Sequence, residues 1–456
     1  MRRLLLVAFG FGLVFSASGQ ATYTLQLSGA WNNASNWTVT SGADVPADGI
    51  PDADDNVIIP NALRVDITTS VACLAITLNG SGQIDFNTNN RTLTVNGLMT
   101  MNGTSSVLGG NNNRILNLQG DFIVPAGQTA SMGGVQIAQN AARAFTVDGT
   151  FIPTSNIGTK NIANVVLNRG GLWSATSNEN YSTINFTAFE GSEITGSTTS
   201  TITVNGNLVV NTSAPAGAQF RVGQISLVVN GATTVNGFWQ FTASNAGTKR
   251  FENTITVNPG ATWDNVIGED PVVNCNIVNN GLWPIPTGGN GRYDVNDGGS
   301  YTYSGATEIG MTRLRLQNAS TVTNLGQLVV TRNGNQGLSV ETASTFINGT
   351  GGYFRLVSNA DPIDVVGVGS SVNFTAPNNI VDYDFVGTQT VEPTTYDQLI
   401  ISSGGTKSVV GLTTVNNSVT IEGTTILDVG PNILDGVANL IMTGTSQLRL
   451  QRTGVG

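Results

Sequence analysis

The chain has 456 residues, of which 56 are glycine and 11% are charged, with a formal net charge of −10 and no histidine. An acidic chain without basic clusters argues against binding to nucleic acid and to anionic membrane surfaces, since both depend on Lys and Arg. The lack of histidine removes Ser-His-Asp and Cys-His nucleophile systems and histidine-type zinc sites.

Residues 1–19 have the pattern of a signal peptide. Arg2 and Arg3 form a charged start, residues 4–15 are apolar, and Ala17-Ser18-Gly19 is a small-residue cleavage site. The apolar run is too short for a stable membrane span, and no later segment is long and apolar enough to cross a bilayer. We therefore expect a mature chain without a membrane span that is secreted, extracellular or cell-surface associated.

Residues 20–70 differ in composition from the rest of the chain. Trp31 and Trp37 bracket an Asn-rich segment, and an acidic loop rich in Pro and Gly follows from Asp44 to Asp55. A solenoid leaves an open core at each end, so an atypical covering segment is expected there. We interpret residues 20–70 as an N-terminal β cap that contains the acidic loop.

The acidic loop is the best candidate for a cation site. Several hard oxygens from one loop are what Ca²⁺ requires, and without a cation they would repel one another. Residues 48–55 resemble the calcium-binding repeats of thrombospondin type 3. A solvated loop without metal is the alternative, and the predicted metal ligands are Asp48, Asp52 and Asp54. The five candidate calcium-binding residues are Asp44, Asp48, Asp52, Asp54 and Asp55.

A strand-turn-strand phrase recurs through residues 71–456. In residues 201–210, Ile202 and Val204 share one face of a strand and Asn205-Gly206 supplies the turn. The turn glycines recur with a modal step of about 23 residues, which suits a coil of three short strands of about five residues and three turns. We predict an all-β fold, a single-stranded right-handed parallel β-helix. An array of β-sandwich domains is the structural rival.

Asparagine precedes many of the turn glycines. Asparagine and glycine both accept a left-handed backbone, and a stacked asparagine amide can bond to its copy in the neighbouring coil. We therefore predict positive φ at the turns and a column of stacked amides. The column comprises Asn96, Asn205, Asn230, Asn258, Asn280 and Asn348.

Four tryptophans follow turn glycines by two or three residues. A row of exposed indoles would suit stacking on sugar rings, whereas a row of inward indoles would fill the core. Core or corner packing is the favoured interpretation, and glycan stacking is the alternative. The four residues are Trp173, Trp239, Trp263 and Trp283.

Carboxylate pairs are the remaining groups that could carry catalysis, because Cys73 and Cys275 are expected to be buried and unpaired. A glycosidase needs two carboxyls that flank a sugar bond, and a polysaccharide lyase usually needs Ca²⁺ and a basic residue. We expect no enzyme and predict no catalytic residues. The pairs are Asp294/Asp297, Asp361/Asp364 and Asp382/Asp384.

Several segments resemble a group of bacterial secreted surface proteins, adhesin-like and exported by the type IX pathway, whose opening is similar to that of a G8 domain. The resemblance implies a right-handed parallel β-helix behind an N-terminal cap. Such proteins usually end in a sorting domain, and none is visible after residue 450, so we expect this chain to be the N-terminal piece of a longer protein. The matching segments are residues 29–31, 36–37, 51–55, 57–60, 396–401, 404–407 and 415–421.

These observations predict a secreted structural or adhesive protein that presents loops to glycans, cells or matrix. The alternative is a carbohydrate-active β-helix enzyme, a polysaccharide lyase or glycosidase using Asp pairs. A passive surface-layer or biofilm scaffold is a third hypothesis. The expected partners are a glycan, a cell-surface component or a matrix component, and Ca²⁺ is the one cofactor that the sequence suggests.

Overall fold

A computed structural model describes residues 20–451 except 155–159, 177, 212–218, 245–246, 289, 333–335 and 437–438, and it leaves out the side chains of 110–112. The predicted signal peptide, residues 1–19, lies outside the described residues. Within the described chain, no helix has the length and apolar character that a membrane crossing demands.

Strands make up 55% of the described residues, and they form a parallel solenoid of about 17 turns. This confirms the predicted all-β parallel β-helix. Apart from strands, the described residues form one short 3₁₀ turn, Ala34–Asn36. Typical coils contribute one strand to each of three faces, and each strand pairs in parallel with its counterparts in the coils before and after.

Three sets of strands define these faces. The first face comprises Thr22–Leu25, Asn56–Ile59, Ala75–Gly80, Met99–Gly103, Phe122–Val124, Ala144–Val147, Leu208–Asn211, Thr233–Val235, Ile255–Val257, Ile277–Asn279, Ser300–Ser304, Thr321–Asn324, Thr345–Asn348, Ser371–Asn373 and Leu434–Asp435. The second face comprises Gly29–Ala30, Arg64–Asp66, Gln83–Asp85, Thr150–Pro153, Leu172–Ala175, Glu193–Gly196, Phe220–Val222, Phe238–Phe241, Thr262–Asp264, Glu308–Met311, Gln327–Val330, Tyr353–Leu356, Ile380–Tyr383 and Asn439–Met442.

The third face and the corner strands complete the coils. The third face comprises Val71–Cys73, Arg91–Val95, Thr201–Val204, Ser226–Val229, Lys249–Phe251, Val272–Val273, Arg292–Val295, Arg313–Leu316, Leu338–Glu341, Ile363–Val366, Gln389–Val391, Thr406–Val409, Ile426–Gly430 and Gln447–Leu450. Longer strands turn a corner from one face to the next, and these are Ser106–Leu118, Thr129–Gln139, Lys160–Leu167, Asn180–Phe189, Thr395–Ile401 and Thr413–Ile421.

The register of the strands confirms the predicted period. Met99 pairs with Ile76 in the preceding coil and with Phe122 in the following coil, each 23 positions away. Side chains alternate along each strand, so that in Thr201–Val204 the aliphatic residues are buried and the threonines are partly exposed. The buried residues form one continuous core along the solenoid, and it includes Cys73 and Cys275, which are free as predicted.

Among the turn glycines, Gly260 has the predicted positive φ of 81°, whereas several others are required for close approach. Gly97, Gly120, Gly206 and Gly231 all have negative φ, so the sequence prediction of a left-handed turn is wrong at these positions. A Cβ atom on Gly231 would lie 2.1 Å from the carbonyl oxygen of Gly206, and one on Gly120 would lie 1.9 Å from that of Gly97. At these two positions, the stacked turns of adjacent coils therefore leave no room for a side chain.

The first coils contain the one antiparallel pairing among the described strands. Thr22–Leu25 pairs in parallel with Asn56–Ile59 and antiparallel with Trp37–Ser41. Asn56–Ile59 in turn pairs in parallel with Ala75–Gly80, so the parallel coils begin before residue 71, where the sequence analysis placed their start. The role of Trp37–Ser41 as part of a cap stays a prediction.

Candidate functional site

The acidic loop is fixed to the first coils by two buried indoles. Trp31 donates from Nε1 to the carbonyl oxygen of Pro51 at 3.1 Å, and Trp37 donates from Nε1 to the carbonyl oxygen of Trp31 at 2.7 Å. The two indole rings pack edge to face with centroids 5.3 Å apart. Because buried indole N–H groups need acceptors, these bonds hold the end of the loop in one place.

Three carboxylates of the loop converge. Asp52, Asp54 and Asp55 each place an oxygen within 4.8 Å of the others. Asp55 is buried, and its two oxygens accept the backbone N–H groups of Ala21 at 2.9 Å and of Asp52 at 3.0 Å. Asp52 accepts the backbone N–H of Asp54 at 3.2 Å. The backbone therefore holds the negative charges of this cluster together.

The proximity of these carboxylates changes their titration. A hydrogen bond from the Asp54 carboxyl, followed by burial and by the charges of Asp55 and Asp54, raises the pKa of Asp52 to about 6. A hydrogen bond between two carboxyls needs a shared proton, which a divalent cation could replace. Oxygens of this kind are the ligands that Ca²⁺ takes in proteins, so Asp52, Asp54 and Asp55 are the residues that could hold it.

The sequence alone predicts a different trio of ligands. It places Asp48 with Asp52 and Asp54, but Asp48 is exposed and outside this cluster, and its carboxylate accepts the backbone N–H of Ile50 at 2.9 Å. Asp55 takes the third position because it directly precedes the strand Asn56–Ile59, which carries it back against the first strand. The structure thus groups Asp55 rather than Asp48 with Asp52 and Asp54, and calcium binding by any of these residues stays a prediction.

Asp44, the fifth candidate, also lies outside the cluster. Its carboxylate accepts the backbone N–H of Gly49 at 3.0 Å, which closes the loop. Burial and the neighbouring Asp44 raise the pKa of Tyr23. Asp44 therefore has a local structural role that needs no metal.

The four tryptophans of the repeat region lie inside the solenoid. Trp173, Trp239 and Trp263 are fully buried, and Trp283 is 2% exposed. Trp263 stacks between Trp239 and Trp283 with ring centroids 4.9 and 4.8 Å away. Trp263 and Trp283 each donate from Nε1 to the Tyr293 hydroxyl at 3.2 Å. Glycan stacking on these residues is therefore wrong, because strand alternation directs the indoles into the core, where no sugar can reach.

The structure does not bring Asp294 and Asp297 together as a catalytic pair. Asp294 receives two hydrogen bonds from Arg315, at 2.9 and 3.0 Å, and a further contact at 2.9 Å from Arg292. Asp297 instead accepts the Tyr301 hydroxyl. Because Arg315 belongs to the coil after Asp294, this ion pair joins neighbouring coils.

Asp382 and Asp384 do lie together, on the outer side of the second face. The Ser402 hydroxyl lies 2.7 Å from Asp382 and 3.1 Å from Asp384. Tyr353 donates its hydroxyl to Asp382 at 2.7 Å, and Arg355 donates to Asp384 at 3.3 Å. Asp382 is 5% exposed, and burial raises its pKa. The pair is thus embedded in a network of neighbouring side chains.

A third acidic group includes a residue that the sequence analysis missed. Burial and the charge of Asp364 raise the pKa of Asp361. Burial and the charges of both aspartates also raise the pKa of Glu392 to about 7. Glu392 follows the next strand of the third face, Gln389–Val391, so only the coil stacking places it near them. No local motif could have indicated it.

Comparison with models of known families, with curated proteins and with solved structures finds no match. The resemblance to type IX surface proteins therefore stays a prediction from the quoted segments.

Proposed function

We propose that this chain is a secreted, cell-surface structural or adhesive protein, whose solenoid presents surface loops to a glycan, another cell or a matrix. The observation that carries the proposal is the continuous buried core along the solenoid. About 17 turns, each adding about 4.8 Å, make a rod about 80 Å long. Such a repeat surface binds by area and multivalency and needs no single pocket.

The outward carboxylates support a structural use of this surface. Asp294 is held by Arg315 of the next coil, and Arg355 connects Asp384 with Glu308, at 3.3 and 2.9 Å. A general base has to reach a substrate proton, and carboxylates held by arginine are poorly suited to that task. These ion pairs instead add side-chain links between coils to the backbone ladders.

Binding without turnover is the test of this proposal. The purified chain is applied to an array of glycans and to immobilised extracellular matrix, and soluble products are measured in parallel. We expect retention on at least one surface and no release of sugar fragments. Export is tested separately by sequencing the N-terminus of the protein in the medium, which we expect to begin at Gln20. A chain that retains residues 1–19 inside the cell would contradict the secreted location.

A carbohydrate-active enzyme is the second candidate, and the Asp382–Ser402–Asp384 arrangement favours it because it brings two carboxyls together. If the enzyme proposal is right, Asp382→Asn and Asp384→Asn each abolish the cleavage of a polysaccharide, measured as new reducing ends. Asp435→Asn, an exposed aspartate on the first face, is the matched control. Cleavage lost in the first two variants and kept in the control would replace the structural proposal.

A further inference from the structure

The chain contains three lysines, and each is the last residue of a Gly-Thr-Lys triplet. Lys160 and Lys249 are the first residues of their third-face segments, Lys407 is the second residue of its segment, and all three are fully buried. Residues 158 and 159 of the first triplet lie outside the described part of the chain. Lysine is almost never fully buried unless it is paired, so the same placement at three positions calls for a shared partner.

Lys249 is paired with a buried glutamate of the next coil. Its Nζ lies 3.7 Å from Oε1 of Glu269, and the Glu269 side chain is 2% exposed. Lys249 also donates to the carbonyl oxygen of Gly247, in the turn that precedes it, at 3.4 Å. Glu269 lies in the corresponding turn of the next coil, between the second and third faces. This lysine therefore joins two consecutive turns from inside the solenoid.

Lys160 has an equivalent partner. It pairs in register with Tyr181, and Glu179 lies two positions before Tyr181. The register of the Lys249 strand places Glu269 at the same offset of two positions. Glu179 is fully buried, and its charge opposes the lowering of the Lys160 pKa by burial. Both lysines thus face a glutamate in the turn of the following coil.

Lys407 also contacts the turns, but no carboxylate lies two positions before the residue with which it pairs. It pairs in register with Leu427, and the residue two positions before Leu427 is Thr425. Lys407 donates to the carbonyl oxygens of Gly387 at 2.8 Å and Gly404 at 2.9 Å. It also donates to the carbonyl oxygen of Phe385. Three carbonyl groups from the turns of two coils take the place of the glutamate.

We propose that Gly-Thr-Lys marks an internal lock, in which the lysine enters the core and holds together the turns between the second and third faces of two coils. The proposal is independent of the proposed function. One consequence is chemical: every lysine of the chain is withdrawn from solvent, so lysine-directed modification or cross-linking cannot reach a lysine of the folded solenoid. The positive side chains on its described exterior are arginines.

Amine labelling tests the burial directly. The native protein is treated with an N-hydroxysuccinimide acetate ester, with and without denaturing urea, and the labelled peptides are identified by mass spectrometry. We expect labelling of all three lysines in urea and of none in the native protein. Arg169→Lys, at an exposed position, is the control that must be labelled under native conditions. Native labelling at residue 160, 249 or 407 at the rate of that control overturns the proposal.

A double-mutant cycle tests the lock. Lys249→Met and Glu269→Gln each leave the other member of the pair buried without its charged partner, so each is expected to lower the melting temperature by about 3–5 °C. The double variant is expected to lose less than the sum of the two, because neither charge remains buried alone. Lys407→Met is also expected to lower the melting temperature, although Lys407 has carbonyl partners instead of a glutamate. Arg169→Met is expected to change the melting temperature little. Strict additivity at Lys249 and Glu269 would refute the lock, and the labelling result remains informative if a single variant does not fold.

Discussion

Asparagine side chains stack between neighbouring coils in two regions, outside the solenoid in one and inside it in the other. In the first region, Asn230 donates to Asn205 at 3.1 Å, and both side chains are exposed. In the second region, Asn324 donates to Asn348 at 2.8 Å, and both residues are fully buried. The same residue type and the same bond therefore occur in water and in a dry core.

The interior asparagines also bind the backbone. Asn348 places its Nδ2 atom 2.9 Å from the carbonyl oxygen of Ile380 and 3.0 Å from that of Gly352. Asn324 accepts the backbone N–H of Gly326 at 3.2 Å. Water can replace a lost partner on the outside, but a buried amide or carbonyl without a partner carries its full desolvation cost. Position rather than residue type thus decides how much each asparagine stabilises the coil.

Removal of a buried aromatic ring is expected to cause the largest loss of stability among these variants. Trp263→Ala is expected to lower the free energy of unfolding by about 3–5 kcal/mol, because it opens a cavity between two stacked indoles. The measurement is urea unfolding followed by circular dichroism. Trp263→Phe, which keeps a ring, is the control and should lose less. A loss of glycan binding by Trp263→Ala with unchanged stability would contradict the core assignment.

The next largest effect is expected from the interior asparagine. Asn348→Ala removes the donor to the buried Ile380 carbonyl and leaves the Asn324 amide only its 3.2 Å bond to the Tyr353 carbonyl, so we expect a loss of about 2–3 kcal/mol. The same urea titration measures it. An unchanged unfolding midpoint would show that the interior column contributes no net stability.

The exterior asparagine is the matched control for this comparison. Asn230→Ala removes one amide bond to Asn205, but water can take its place, so we expect a change of about 0.5 kcal/mol or less. Equal losses in Asn230→Ala and Asn348→Ala would break the distinction between the two regions.

The smallest expected effect concerns charge in the acidic loop and depends on pH. Folding raises the pKa of Asp52 from 3.8 to about 6, so the folded state binds this proton more tightly than the unfolded state. The resulting stabilisation is fully present below the pKa of the unfolded chain and is lost as pH rises through about 6. Asp52→Asn should therefore melt slightly higher than the native chain at pH 7 without calcium, with the difference vanishing towards pH 4. Melting scans across this pH range measure it.

Calcium distinguishes the two interpretations of the acidic loop, a calcium site and a solvated loop without metal. If Asp52, Asp54 and Asp55 hold the ion, calcium raises the melting temperature of the native chain more than that of Asp52→Asn. Equal melting curves with calcium and with chelator, for both chains, would leave the loop as a solvated turn.

Strand alternation and turn spacing were readable from the sequence, because each coil repeats the same local phrase. The alternation in Thr201–Val204 and the 23-residue step at Met99 both recur in the structure. Partners between coils were not readable. Asp55 in the acidic cluster and Glu392 beside Asp361 follow from the pairing of strands, which local patterns do not specify.

Local pattern by itself thus determined the parallel coil, its period and the alternation of inward and outward residues, since these depend on backbone geometry within a few residues. The stacking of coils on one another determined the remaining features. It made Gly231 necessary for steric reasons, placed the inward indoles of Trp239, Trp263 and Trp283 on one another and brought Lys249 against Glu269. These features depend on which residue of the next coil lies opposite, and insertions between strands shift that register in ways that only the folded chain reveals.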